Sequence, residues 1–212
     1  MNIICKLNVA ITGLLISSSL TAQTFTQPGT IELGGDISFS SQSYSENGTN
    51  SGSALTTFSF NPYLGFMVSD GFELGLMPGI ATVSYGSSTS TQLNLFFAPA
   101  YNVNTNSSVY PYFEFLIGYN TTSDNSYSSY AGNRTIGGLG VGLDAGLKIN
   151  LKGNSLLLFK IQYLHQSFNR DTYTTTGYSG YPVTIESREI ALNTVSFGMG
   201  FRIFIEPREK KK

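Results

Sequence analysis

Between Leu139 and Ile149 apolar and small or charged residues alternate without a break. Leu139, Val141, Leu143, Ala145, Leu147 and Ile149 interleave with Gly140, Gly142, Asp144, Gly146 and Lys148. A β-strand sends successive side chains to opposite faces, so one face here is apolar and the other small or charged. A helix would wrap Asp144 and Lys148 in among the leucines. The same period of two recurs along the chain and predicts eight strands in all.

The first strand runs from about Thr30 to Ser41, with Ile31, Leu33, Ile37 and Phe39 on one face. The second covers Leu55 to Val68 and carries its apolar set on even numbers, Phe58 to Val68. The third opens at Phe72, Leu74 and Leu76. Its parity breaks after Ile80, since Val83 and Tyr85 are odd-numbered, which predicts a bulge near Pro78-Gly79. The fourth strand is Thr91 to Val103, the fifth Val109 to Asn120, the sixth the stretch described above. The seventh is Leu156 to Ser167 and the eighth Ile190 to Ile205.

Between these strands, Ser69-Asp70-Gly71, Asn104 to Ser108 and Asn150 to Ser155 read as tight turns. Tyr44 to Ala54, Gly86 to Ser90, Thr121 to Arg134 and Phe168 to Glu189 read as polar loops. Long and short connections therefore alternate. An even strand count places both chain ends on the side of the short turns, which outer-membrane barrels keep in the periplasm.

The parity of the charges separates a membrane barrel from a soluble one. Glu32, Asp36, Glu73, Glu114, Asp144, Lys148, Lys160 and Arg202 all share a face with the glycines. An isolated buried charge is costly, so this face cannot be an apolar core. It can be the lumen of a narrow barrel, filled by a paired charge network, while lipid covers the leucines and phenylalanines. The expected fold is an all-β, eight-stranded antiparallel up-and-down transmembrane β-barrel. A closed barrel also leaves no strand edge unpaired in hydrocarbon. Glu32 and Arg202, near the same ends of the first and last strands, should pair at closure. Eight strands leave room only for side chains, so a structural network is favoured over an ion path. Mixed signs also differ from the single-sign rings that select ions.

Composition fits this reading. Charged residues are 12% of the chain and hydrophobic ones 41%, with 23 glycines, 13 tyrosines and 15 phenylalanines. Net charge is −1, and the only basic block is the tail ending at Lys212, so no nucleic-acid partner is expected. Residues 1–22 read as a signal peptide: Lys6, an apolar run from Leu7 to Ile16, then small residues to Ala22. About ten apolar residues fall short of the roughly twenty that span a bilayer. Residues 23–206 form the barrel and 207–212 a charged periplasmic tail. The lone cysteine, Cys5, leaves with the signal, so neither a disulfide nor a thiol metal site is expected. No cofactor is expected, nor a metal. The glycines from Gly137 to Gly142 recur within a strand and not at a strand-to-helix turn, so they are not a nucleotide loop.

One constellation carries chemistry. His165 and Ser167 lie on the lipid-facing parity near the outer rim, and Glu186 and Glu189 come where the last strand returns beside them. A serine, a histidine base and a carboxylate are the parts of a hydrolase triad. Tyr163, His165, Ser167 and Asn169 resemble the outer-membrane lipid A 3-O-deacylase family, an eight-stranded barrel with a His-x-Ser pair on a late strand. Phe168 stands where that family has an asparagine. A broader resemblance covers the whole mature chain. Thr21-Ala22-Gln23, Pro111-Tyr112-Phe113-Glu114 and the aromatic-rich last strand are similar to small outer-membrane β-barrel proteins of the OmpA, OmpX and OmpW kind, common in Bacteroidetes. That resemblance implies an outer-membrane monomer inserted by the barrel-assembly machinery and surrounded by lipid and lipopolysaccharide. Its role would be structural or surface-interacting. Loop tyrosines such as Tyr127, Tyr130, Tyr173, Tyr178 and Tyr181 suit contact with an extracellular ligand. The rival readings are the acyl hydrolase and a narrow channel for small solutes.

Overall fold

The computed structural model describes residues 25–46, 49–85, 88–105, 107–124, 134–151, 153–174 and 184–207. The expected signal peptide, most of the tail and the loop residues Tyr127, Tyr130, Tyr178 and Tyr181 lie outside them. Eight strands form one closed antiparallel barrel: β1 Ile31–Glu46, β2 Thr49–Ser69, β3 Phe72–Tyr85, β4 Ser88–Asn102, β5 Val109–Asp124, β6 Arg134–Leu151, β7 Ser155–Thr174 and β8 Thr184–Ile205. Each strand pairs with its sequence neighbours, and β1 closes on β8 from Ile31↔Ile205 to Glu46↔Ile190.

The strands outrun the alternating pattern at one end. Stretches read as loops are partly ladder: β1 and β2 pair through Glu46↔Thr49, and β7 and β8 through Thr174↔Thr184. Ser, Thr and Asn lack the apolar signal, but nothing prevents their backbones from pairing. The expected bulge at Pro78-Gly79 is absent. The β3–β4 register runs unbroken from Phe72↔Tyr101 to Tyr85↔Ser88. Val83 and Ala81 simply face the lumen. Apolar side chains there meet other lumen groups, so the change in sequence parity marks a change in lumen lining and not in backbone. The structure instead has irregularities between Ser43 and Ser45, and between Met67 and Ser69.

Outward positions form an apolar band. Phe39, Phe113, Leu139, Leu143, Ile161 and Phe197 are each about 60% exposed or more. Such a surface far exceeds the few hundred Å² of contiguous apolar patch found on soluble monomers. At the end with the chain termini, Phe25–Thr30 folds across the opening. Gly29 N–H donates to Met67 O at 2.7 Å, and Gly71 N–H to Thr26 O at 3.0 Å. Phe25 is fully buried against Tyr110 (ring centroids 4.6 Å, edge-to-face) and Phe204, with Met67 and Leu156 completing the layer. The stretch before the first strand is thus a plug.

Candidate functional site

Above this plug lie two ionic layers. In the lower, Lys148 Nζ donates to Glu32 Oε2 at 2.9 Å and to Glu73 Oε2 at 2.8 Å. Arg202 Nη1 donates to Glu32 Oε1 at 2.7 Å, and the guanidinium carbon lies 3.6 Å from the Tyr63 ring centroid. Asn102 Nδ2 adds a bond to Glu73 Oε2 at 3.1 Å. In the upper layer, Lys160 Nζ sits 3.0 Å from Asp36 Oδ2 and 3.1 Å from Asp144 Oδ2. Asn61 Nδ2 donates to Asp36 Oδ1 at 2.9 Å, and Gln162 Nε2 to Asp144 Oδ2 at 3.1 Å. Seven of the eight lumen charges expected from the sequence are thereby joined. Glu114 is buried beside Asp144 in the β5–β6 ladder, and neither of its carboxylate oxygens accepts a hydrogen bond.

Three of these five ion pairs, Lys148–Glu32, Lys148–Glu73 and Lys160–Asp36, skip at least one strand and do not follow the ladder. Lys148 on β6 reaches Glu73 on β3, and Lys160 on β7 passes over β8 to Asp36 on β1. Glycines open those routes. Lys160 stands opposite Gly198 and Asp36 opposite Gly200. A Cβ on Gly198 would come within 3.1 Å of the Lys160 stem. A Cβ on Gly65 would overlap Glu73 Oε1 and crowd Tyr63 Cε1 at 2.7 Å. Farther along, a cavity of about 30 Å³ is lined by hydroxyls and amides that include Ser38, Thr57, Gln92, Asn94, Gln166 and Ser196. It has space for a water or two. An apolar layer of Phe168, Ile190 and Leu192, with Leu55 and Ile136 against it, lies toward the other end.

The second candidate site is on the outer surface. Tyr163, His165 and Ser167 follow one another on the outward face of β7. Across the ladder, His165 stands opposite Asn193 and Ser167 opposite Ala191. Asn193 Oδ1 accepts from Tyr163 Oη at 2.9 Å and from His165 Nδ1 at 2.8 Å. The partner of the imidazole is therefore an amide, a residue that the reading of the sequence did not single out. In β8, Glu189 pairs with Asn169 and Glu186 with Thr172. The side chains of both glutamates and of Asn169 lie outside the described ones. Three or more metal-ligating side chains are nowhere grouped so as to hold an ion among the described residues.

No protein-family profile matches the chain, and no curated protein matches it. Solved structures do. Neisserial surface protein A is 15% identical with a TM-score of 0.58, covering 82% of this chain and 98% of its own. The outer membrane protein OprG from Pseudomonas aeruginosa is 18% identical with a TM-score of 0.52, covering 85% and 98%. Outer membrane protein AlkL, solved in lipid bilayers, is 11% identical with a TM-score of 0.53, covering 91% and 97%. At such identities the likeness establishes the fold: this chain has the architecture of small eight-stranded outer-membrane β-barrels.

Proposed function

We propose that a chain with this architecture is an integral outer-membrane protein with a closed lumen, both termini periplasmic, acting through its outer surface in a structural or surface-interaction role. One observation carries the reading: the oily residues face outward, and the charged ones are sealed inside. Glu32, Lys148 and Arg202 are each 0% exposed. A water-filled path through their layer would touch them, which argues against the channel. The charged tail, the lipid and lipopolysaccharide surroundings and the assembly machinery belong to the same reading. Fractionation with a heat-modifiability gel tests it: the chain should enter the outer-membrane fraction and shift on boiling. Recovery in a soluble fraction without a shift would end it.

A second reading, the lipid-facing acyl hydrolase, is favoured by the His165–Asn193 bond. Donation from Nδ1 leaves Nε2 of the neutral ring as an acceptor on the far side, the form a general base needs. Ser167 would be the nucleophile. Ser167→Ala should then leave a lipid A acyl chain in place that the wild type removes, as read by mass spectrometry of extracted lipid A. Identical lipid A from both would remove this reading.

A further inference from the structure

Tyr163, His165 and Asn193 interrupt an otherwise apolar surface. Below them on the same face lie Ile161, Phe197 and Val195, all more than half exposed. Beside them on β6, Val141 stands opposite His165, and Leu139, 68% exposed, opposite Ser167. Leu157 is the outward apolar residue nearest the short turn on β7. His165 is eight positions farther, roughly 20 Å along the membrane normal at about 3.3 Å per residue and a tilt of about 40°. The apolar band of such barrels is about 25 Å tall. The cluster therefore lies just inside the far border of the hydrocarbon, where acyl chains join their headgroups.

Asn193 Oδ1 lies within hydrogen-bond distance of both Tyr163 Oη and His165 Nδ1, and an amide oxygen can only accept, so both groups donate to it. The amide is thereby fixed, with its Nδ2H2 donors on the other side. The imidazole is fixed as well, with Nε2 as an acceptor in the neutral ring. The pair presents donors and an acceptor together, already oriented, at one depth in the membrane. A diacyl glycerophospholipid offers only ester carbonyls there, which can meet the donors alone. A lipid with an amide N–H or a hydroxyl beside its carbonyl can meet both.

We propose that the Tyr163–His165–Asn193 cluster is a binding site for an outer-leaflet lipid bearing amide or hydroxyl groups at the acyl–headgroup junction, the chemistry of lipid A. Asn193 Nδ2 donates to an acyl carbonyl, and His165 Nε2 accepts from the adjacent hydroxyl or amide. The site rests on the outer-membrane reading, since it needs lipid at that face.

The full-length protein is reconstituted in phosphatidylcholine vesicles containing lipid A, gently extracted, and its retained lipid counted by native mass spectrometry. Wild type should retain lipid A over phosphatidylcholine by about tenfold, and Asn193→Leu should abolish the preference. His165→Phe, which keeps an aromatic ring, should reduce it and serves if Asn193→Leu fails to fold. Equal retention of both lipids by wild type overturns the inference, as does an undiminished preference in a heat-modifiable Asn193→Leu or His165→Phe barrel. Those results leave the outer-membrane reading intact. That reading fails separately, in fractionation.

Discussion

At the scale of single residues, the lumen is a problem of satisfying charge. Lys160 is shared by Asp36 and Asp144, all three without exposure of their side chains. Removing one partner of a buried pair leaves charge uncompensated, typically at a cost of about 3–5 kcal/mol. Lys160→Met should therefore lower urea stability by about that much, followed by gel shift in vesicles. Removing the two stranded carboxylates as well, with Asp36→Asn and Asp144→Asn, should recover much of the loss. A single variant as stable as wild type would mean the layer is not load-sharing. Gly65 makes the complementary test. Its Cβ would overlap Glu73 Oε1, so Gly65→Ala should cost about 1–3 kcal/mol through displacement of a group that Lys148 and Asn102 hold. Which residues enter the lumen was legible, because parity alone decides it. The Glu32–Arg202 contact was legible too, because closure makes β1 and β8 neighbours. The Lys148–Glu73 and Lys160–Asp36 contacts were not. They join strands that are not adjacent, and the room for them comes from Gly198 beneath the Lys160 stem and Gly65 beside the Glu73 carboxylate. The pairing of His165 with Asn193 was not legible for a plainer reason: asparagine at a strand position has no periodic signal, and a triad histidine calls for a carboxylate, which Glu186 and Glu189 offer.

At the scale of elements, alternation located all eight strands but not their far ends. The signal is carried by lipid contact, so it stops where the lipid stops. The ladders continue, as Glu46↔Thr49 and Thr174↔Thr184 show. The plug was invisible for the opposite reason. Phe25 is a single aromatic in a polar lead-in, and its burial depends on Tyr110 and Phe204 from distant strands. The outward face itself yields a sharp prediction. Leu143 is 61% exposed near the middle of β6. On a soluble protein an arginine at such a site would change stability by about 0.5 kcal/mol or less. In a bilayer it should cost about 2–4 kcal/mol. Denaturant titration of Leu143→Arg in vesicles decides between these outcomes.

At the scale of the molecule, the barrel is a closed tube stoppered in series. The plug around Phe25, the layer of Glu32, Glu73, Lys148 and Arg202, and the layer of Asp36, Asp144 and Lys160 succeed one another along the lumen. Any one of them blocks a continuous water column, because side chains with no exposure admit no water between them. The cavity of about 30 Å³ beyond them is a dead end on that side. Wild type reconstituted in planar bilayers should therefore be electrically silent at voltages the bilayer tolerates. Phe25→Ala alone should stay silent as well, since both ionic layers remain beneath the opened mouth. Current should require loss of the plug and of both cation-bearing layers, for example Phe25→Ala with Lys148→Ala, Lys160→Ala and Arg202→Ala, together with an opening of the buried apolar layer around Phe168, Ile190 and Leu192. Steady wild-type conductance would show that the ion pairs open and re-form. The lumen would then be a gate, and an outer-surface role would no longer follow from its closure.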